Sequence, residues 1–129
     1  MNNPLSPHLS IYKFKLSLLM SIAHRITGAA LYFSMLIFLF FLISLSIGAS
    51  GYEIFSLIIN TWIGKLVMLG ITWAIFHHML GGLRHFLWDI VKGFEVKTVD
   101  KLATISLLGG IALTVIYWSL YYIYKGIFQ

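Results

Sequence analysis

Three stretches of this chain carry no formally charged side chain, and they dictate what it can fold into. Residues 26–52 lie between Arg25 and Glu53, residues 66–83 between Lys65 and Arg84, and residues 102–124 between Lys101 and Lys125. A helix crosses the hydrocarbon core of a bilayer with about 20 apolar residues, so each stretch is long enough or nearly so. A transmembrane barrel needs short alternating strands, and these continuous apolar runs offer none. Only 10% of the residues are charged and 60% are hydrophobic, whereas a soluble domain carries roughly a quarter charged residues. The expected fold is therefore an all-α membrane protein with three transmembrane helices, at about residues 18–47, 60–88 and 102–124. The chain reads as a single domain, 1–129, with residues 1–15 as an arm outside the membrane.

The net charge of +5 points to orientation and gives no support for nucleic-acid binding. Lys13, Lys15 and Arg25 flank the start of the first span, and Arg84, Lys92, Lys97 and Lys101 flank the second connection. The other side has only Lys65 and Lys125. Basic residues stay on the side of insertion, which places the N-terminus in the cytoplasm or mitochondrial matrix and the C-terminus outside. The chain lacks cysteine, which excludes disulfides, thiol chemistry and iron–sulfur ligation by its own residues. Its first fifteen residues have no apolar core or cleavage site, so the first span is expected to serve as the insertion signal.

The arm holds both prolines, Pro4 and Pro7, and reads as extended, with Ser10 as a weak helix cap. Gly48 and Gly51 bracket a turn. Residues 52–61 are semi-polar and suit the membrane interface, with Trp62 as an anchor. Residues 89–101 read as a charged loop. Tyr117, Trp118, Tyr121, Tyr122 and Tyr124 form an aromatic belt, read as anchoring only.

Chemistry concentrates in two places. In the first span Ser21 and Arg25, four residues apart, share a helix face next to His24. A hydroxyl and a guanidinium there can donate to a quinone carbonyl or a carboxylate; alternatively Arg25 reaches lipid phosphates and Ser21 bonds its own backbone. In the second span His77, His78 and His85 stand beside Gly81, Gly82 and Arg84. Ionisable groups inside a membrane are costly and usually serve an ion, a proton or a cofactor. Helical periodicity sorts them into two stripes, His78–Gly82–His85 and His77–Gly81–Arg84, about 100° apart. A haem with histidine ligation would account for histidines and glycines together. Periodicity does not choose between His78, His77 and His24 as ligand, nor between an intrachain pair and a second subunit. Gly28 with Ala29 and Ala30, and Gly109 with Gly110, read as close helix-packing surfaces.

These residues resemble a known family. Pro4, Ser6, Pro7, His8, Ser10, Ile11 and Tyr12 in the arm come first, followed by Ser21, His24, Arg25, Thr27 and Gly28. With His78, Gly82, Arg84, His85 and Asp89, they look in order and spacing like the cytochrome b large anchor subunit of succinate dehydrogenase. Asn3, Phe14 and the additional His77 depart from the common pattern. The resemblance implies a complex with a flavoprotein subunit, an iron–sulfur subunit and a second small haem-ligating anchor. It implies haem b as cofactor and ubiquinone as substrate. By position His78 would be an axial ligand of the haem iron, with the partner anchor supplying the other. Ser21 and Arg25 would form part of the quinone pocket, and His24, Arg25 and His85 would lie near the haem propionates. The chain would have no complete active site alone, although the complex is an enzyme, in a bacterial inner or mitochondrial inner membrane. Two other readings are an anchor of a fumarate reductase and a small helical scaffold or transport subunit without haem.

Overall fold

The computed structural model describes residues 15–128, so the arm and its prolines lie outside the described residues. Within them the chain forms α1 (Leu16–Ile47), α2 (Ala49–Ile59), α3 (Trp62–Asp89) and α4 (Val96–Phe128). Three of these helices, α1, α3 and α4, are long and apolar enough to cross a membrane. At 1.5 Å per residue, the 32 residues of α1 extend about 48 Å. That exceeds a hydrocarbon core of about 30 Å, so α1 projects past it or tilts within it.

The breaks between helices follow from local chemistry. Helix α1 stops at Gly48, whose φ of 96° suits glycine, and the Gly48 N–H donates to the Leu45 carbonyl. Residues 52–61, read as semi-polar and suited to the interface, fold mostly as α2, because the turn needs only Gly48. The ring of Phe55 packs on Phe40 and Phe41 at 5.4 and 5.3 Å. At the start of α3 the Thr61 hydroxyl accepts from the Gly64 N–H at 3.0 Å, an ordinary N-cap. Helix α4 begins at Val96, six residues before the expected 102. Lys97, Asp100 and Lys101 are compatible with a helical turn in water; their charge marks the end of the membrane segment and not the end of the helix.

Helix α3 ends in a Schellman pair: the Val91 N–H donates to the Trp88 carbonyl at 2.8 Å and the Lys92 N–H to the Leu87 carbonyl at 3.0 Å. The motif requires a left-handed residue at its first position past the cap, usually glycine. Here it is Val91, with φ 57°.

Helix α3 runs antiparallel to both α1 and α4. His24 meets His78, while Phe41 and Met68 line one cavity further along. One end of the bundle therefore carries His24, Arg84, His85 and the corner at residues 90–95. The other carries Gly48, Trp62, Lys65 and Lys125. The interior is inverted relative to a soluble protein: among the described residues the buried apolar side chains are only Met20, Ala74 and Ala103. Buried with them are Thr27, Ser44, Thr72, His77, Arg84, Ser106 and Thr114, while most large apolar side chains point outward. Lipid is as apolar as leucine, so small and polar residues gather where helices touch. The buried hydroxyls are satisfied within their own helices, for example Thr72 to Met68, Ser106 to Leu102 and Thr114 to Gly110.

Val91 is 81% exposed, so glycine there relieves left-handed strain while losing little packing. Val91→Gly should raise the stability of the detergent-solubilised protein by about 1 kcal/mol. An unchanged or lowered thermal midpoint would contradict the strain.

Candidate functional site

The histidine-rich segment occupies the middle and end of α3, and the structure assigns its two stripes opposite roles. His77, Gly81 and Arg84 are buried. His78 and Gly82 are half-buried and His85 is exposed.

The centre of the site is a reciprocal interlock between α1 and α3. The His78 ring presses on Gly28: a Cβ built there would stand 2.9 Å from His78 Cε1. The His24 ring presses on Gly81, where an added Cβ would collide with the imidazole. The two rings stack face to face, with centroids 3.9 Å apart and planes 7° apart. Each helix thus supplies one imidazole and one glycine that receives the other's imidazole. Glycine is required at both places because no other residue leaves room for a ring against the backbone. Gly28, read as a packing surface, is in this sense part of the site. Its neighbours Ala29 and Ala30 are exposed and do not pack within this chain.

The orientation of His78 is determined by hydrogen bonding. Its Nδ1 lies 3.1 Å from the His24 backbone carbonyl and 3.4 Å from Thr27 Oγ1. A carbonyl can only accept, so Nδ1 carries the proton. Thr27 Oγ1 is placed by donating to the carbonyls of Ala23 and His24, at 2.9 and 3.0 Å. Nε2 of His78 is left with its lone pair.

The other histidines are placed differently. His77 is 1% exposed, stacked on Trp73 at 5.0 Å and 17°, and set against the backbone of Gly110 on α4. Both of its ring nitrogens are buried without a hydrogen-bond partner. His85 lies 5.4 Å from His24, ring to ring, and meets Trp88 edge-on at 5.0 Å. The structure therefore brings His24, His78 and His85 together and turns His77 away toward α4. Arg84, placed in the His77–Gly81–Arg84 stripe but given no role of its own, is 4% exposed with its guanidinium 5.1 Å from the Trp88 ring and its Nε unpartnered.

Of the two adjacent glycines, Gly81 is filled by His24, whereas a Cβ at Gly82 would meet nothing within 4 Å. The open face is the stripe of His78, Gly82 and His85. The stacked His24 and His78 rings are in van der Waals contact, so no macrocycle fits between them. On α1, Arg25 is exposed and Ser21 half-buried. Thr27, Ser34, Ser44 and Ser46 all donate to carbonyls three or four residues back. Ser21 makes no such bond among the described residues, nor does Arg25 have a polar partner there. Asp89 is exposed. Among the described residues no three acidic, histidine or cysteine side chains are grouped to hold a bare metal ion.

Residues 1–117 match the family described as succinate dehydrogenase/fumarate reductase transmembrane subunit. The chain belongs to this family. Relatives include the succinate dehydrogenase cytochrome b556 subunit of Rickettsia felis, 40% identical over 89% of this chain and 90% of the relative. The b556 subunit of Paracoccus denitrificans is 29% identical over 95% of each chain. The cytochrome b560 subunit of Reclinomonas americana is 34% identical over 93% of this chain and 87% of the relative. Within this family the three apolar helices make the chain a multi-pass inner-membrane protein.

The interlock makes opposite predictions for two glycines of α3. Gly81→Ala must displace the His24 ring and should lower stability by about 1–3 kcal/mol. At Gly70 an added Cβ meets nothing within 4 Å, so Gly70→Ala should be neutral or stabilising by up to about 1 kcal/mol. Thermal unfolding of the two variants side by side tests this, and equal midpoints would contradict the interlock.

Proposed function

We propose that this chain is the haem b- and quinone-binding membrane anchor of a succinate dehydrogenase, passing electrons from an iron–sulfur subunit to ubiquinone. Its partners in this reading are the flavoprotein subunit, the iron–sulfur subunit and a second small anchor. The histidine end faces the cytoplasm or matrix, as the distribution of basic residues predicts.

The observation that carries the proposal is the state of His78. An imidazole that ligates a metal commonly donates its other N–H to a backbone carbonyl, which fixes ring and tautomer. The contact of His78 Nδ1 with the His24 carbonyl is of this kind. The Nε2 lone pair and the open face at Gly82 suit a b-type haem held by His78. His77, enclosed between α3 and α4, has no such face. His24 is occupied against Gly81; in this reading, as the family resemblance implies, the second histidine holding the haem would come from the partner anchor. Haem, when bound, supplies a one-electron centre within the membrane. His24 and His85, grouped beside His78, and Arg25 on α1 are the groups we assign to its propionates.

For the quinone, Ser21 and Arg25 stand one turn apart with hydrogen-bonding capacity not spent on their own helix. The serine hydroxyl and the guanidinium donate to a quinone carbonyl oxygen, orient the ring and stabilise the charge that reduction places on that oxygen.

The test is a dithionite-reduced minus oxidised spectrum of the complex purified through a tag on this chain, with His78→Leu alongside. The expected result is a b-type signal that the variant loses. A signal surviving in His78→Leu would contradict the ligand, and none in the unmutated complex would contradict the haem. Separately, Arg25→Leu should lower quinone reduction by about tenfold to a hundredfold, the worth of a charged hydrogen bond. Succinate oxidation with a soluble dye acceptor should be unchanged. Equal loss in both assays would move Arg25 from the quinone pocket to assembly.

A further inference from the structure

The end of the bundle opposite the histidines holds a second constellation. Lys65, in the first turn of α3, and Lys125, in the last turn of α4, are the basic residues of this end among those described. They come from different helices, yet both line one small cavity of about 60 Å³ with Asn60, Trp118, Tyr121 and Tyr122. Neither lysine has an ion-pair partner among the described residues. The Trp118 indole N–H beside them is buried and lacks an acceptor. Donors and positive charge converge here, and among the described residues no acid pairs with either lysine.

This polar mouth continues into an apolar crevice. A cavity of about 340 Å³ shares Lys65, Trp118 and Tyr122 with it and adds Trp62, Leu66 and Leu69. A further cavity of about 420 Å³ shares Leu66 and Leu69 and runs on between α3 and α4 past Gly70, Trp73, Ile111, Thr114 and Val115. Gly70 lines it with no atom within 4 Å of a would-be Cβ. The Thr114 hydroxyl is spent on the Gly110 carbonyl and adds no polar demand. The sequence of chemistry along α3 and α4 is thus two ammonium groups and aromatic donors at the interface, then an apolar crevice toward the bilayer centre.

We propose that this crevice is a binding site for one anionic phospholipid: its phosphate between Lys65 and Lys125, and an acyl chain along Leu66, Leu69, Gly70 and Ile111. Charge complementarity selects the occupant. A partner helix without an acid at this depth would bury two unpaired lysines, and a neutral quinone head would leave both charges unanswered, whereas the two non-bridging oxygens of a phosphodiester accept from both ammonium groups and its charge offsets part of theirs. Aromatic rings at headgroup depth frame the site. The site is separate from the interlock of α1 and α3 and does not rest on the proposed haem or quinone.

The experiment uses the whole complex, purified through this chain and placed in nanodiscs of phosphatidylcholine with a minor fraction of phosphatidylglycerol. Native mass spectrometry counts the lipids retained on release. The unmutated complex should keep phosphatidylglycerol in preference to phosphatidylcholine, and K65Q/K125Q should bind it about thirtyfold more weakly. K97Q/K101Q, at the opposite end of the bundle, should retain it as before. Gly70→Leu, whose Cβ meets nothing within 4 Å and whose side chain would occupy part of the crevice, should also reduce retention. The reduced-minus-oxidised spectrum, recorded on the same samples, should be unaltered by all three variants. Retention that ignores headgroup charge, or persists in K65Q/K125Q, would overturn the proposal; so would a quinone retained there in place of the lipid.

Discussion

Much in this structure depends on one contact: the imidazole of His78 laid on Gly28, with its Nδ1 on the carbonyl of His24. Inside a membrane the hydrophobic effect does little to join two helices, and packing and hydrogen bonds must do so. Here the same groups that join α1 to α3 also orient the ring that the proposed chemistry uses. Gly81 does the complementary task for His24. Remove either glycine and the stack of two imidazoles cannot form in this arrangement.

The bundle is consequently polar within and apolar without. Hydroxyls of Thr72, Ser106 and Thr114 spend their donors on their own helices, so helices approach closely without leaving these hydroxyls unsatisfied. Ser21, near the start of α1, differs in that its hydroxyl is not spent in this way among the described residues. The two ends then diverge in character. One gathers His24, His78 and His85, with Arg84 buried nearby, and the other gathers two lysines and an aromatic belt. The proposed redox site and the proposed lipid site thereby lie at opposite ends of the bundle.

Much of this was legible in the residues. The three uncharged stretches predicted three long helices, because a charge inside the bilayer is costly wherever it falls. The ends of helices were less legible, since charge reports the water boundary and helix termination depends on backbone geometry. That is why α4 starts at Val96, through Lys97, Asp100 and Lys101, and why α2 begins at Ala49, inside the segment read as a turn. The clustering of the histidines was legible, but its internal arrangement was not. Positions 77 and 78 differ by one residue and about 100°, and only knowing which helix lies on each side separates them. Gly109 and Gly110 on α4 receive Leu80 and His77, which turns His78 toward α1. The pairing of Lys65 with Lys125 was likewise invisible, as it needs the register of α3 against α4.

The central claim is that the backbone of α1 fixes the tautomer of His78 and leaves Nε2 for a ligand. Solid-state NMR of the dithionite-reduced complex, with ¹⁵N-histidine and a ¹³C-carbonyl label at His24, tests this directly. The account predicts a protonated Nδ1 on His78 close to the His24 carbonyl and an unprotonated Nε2. A protonated Nε2, or an Nδ1 distant from that carbonyl, would contradict it.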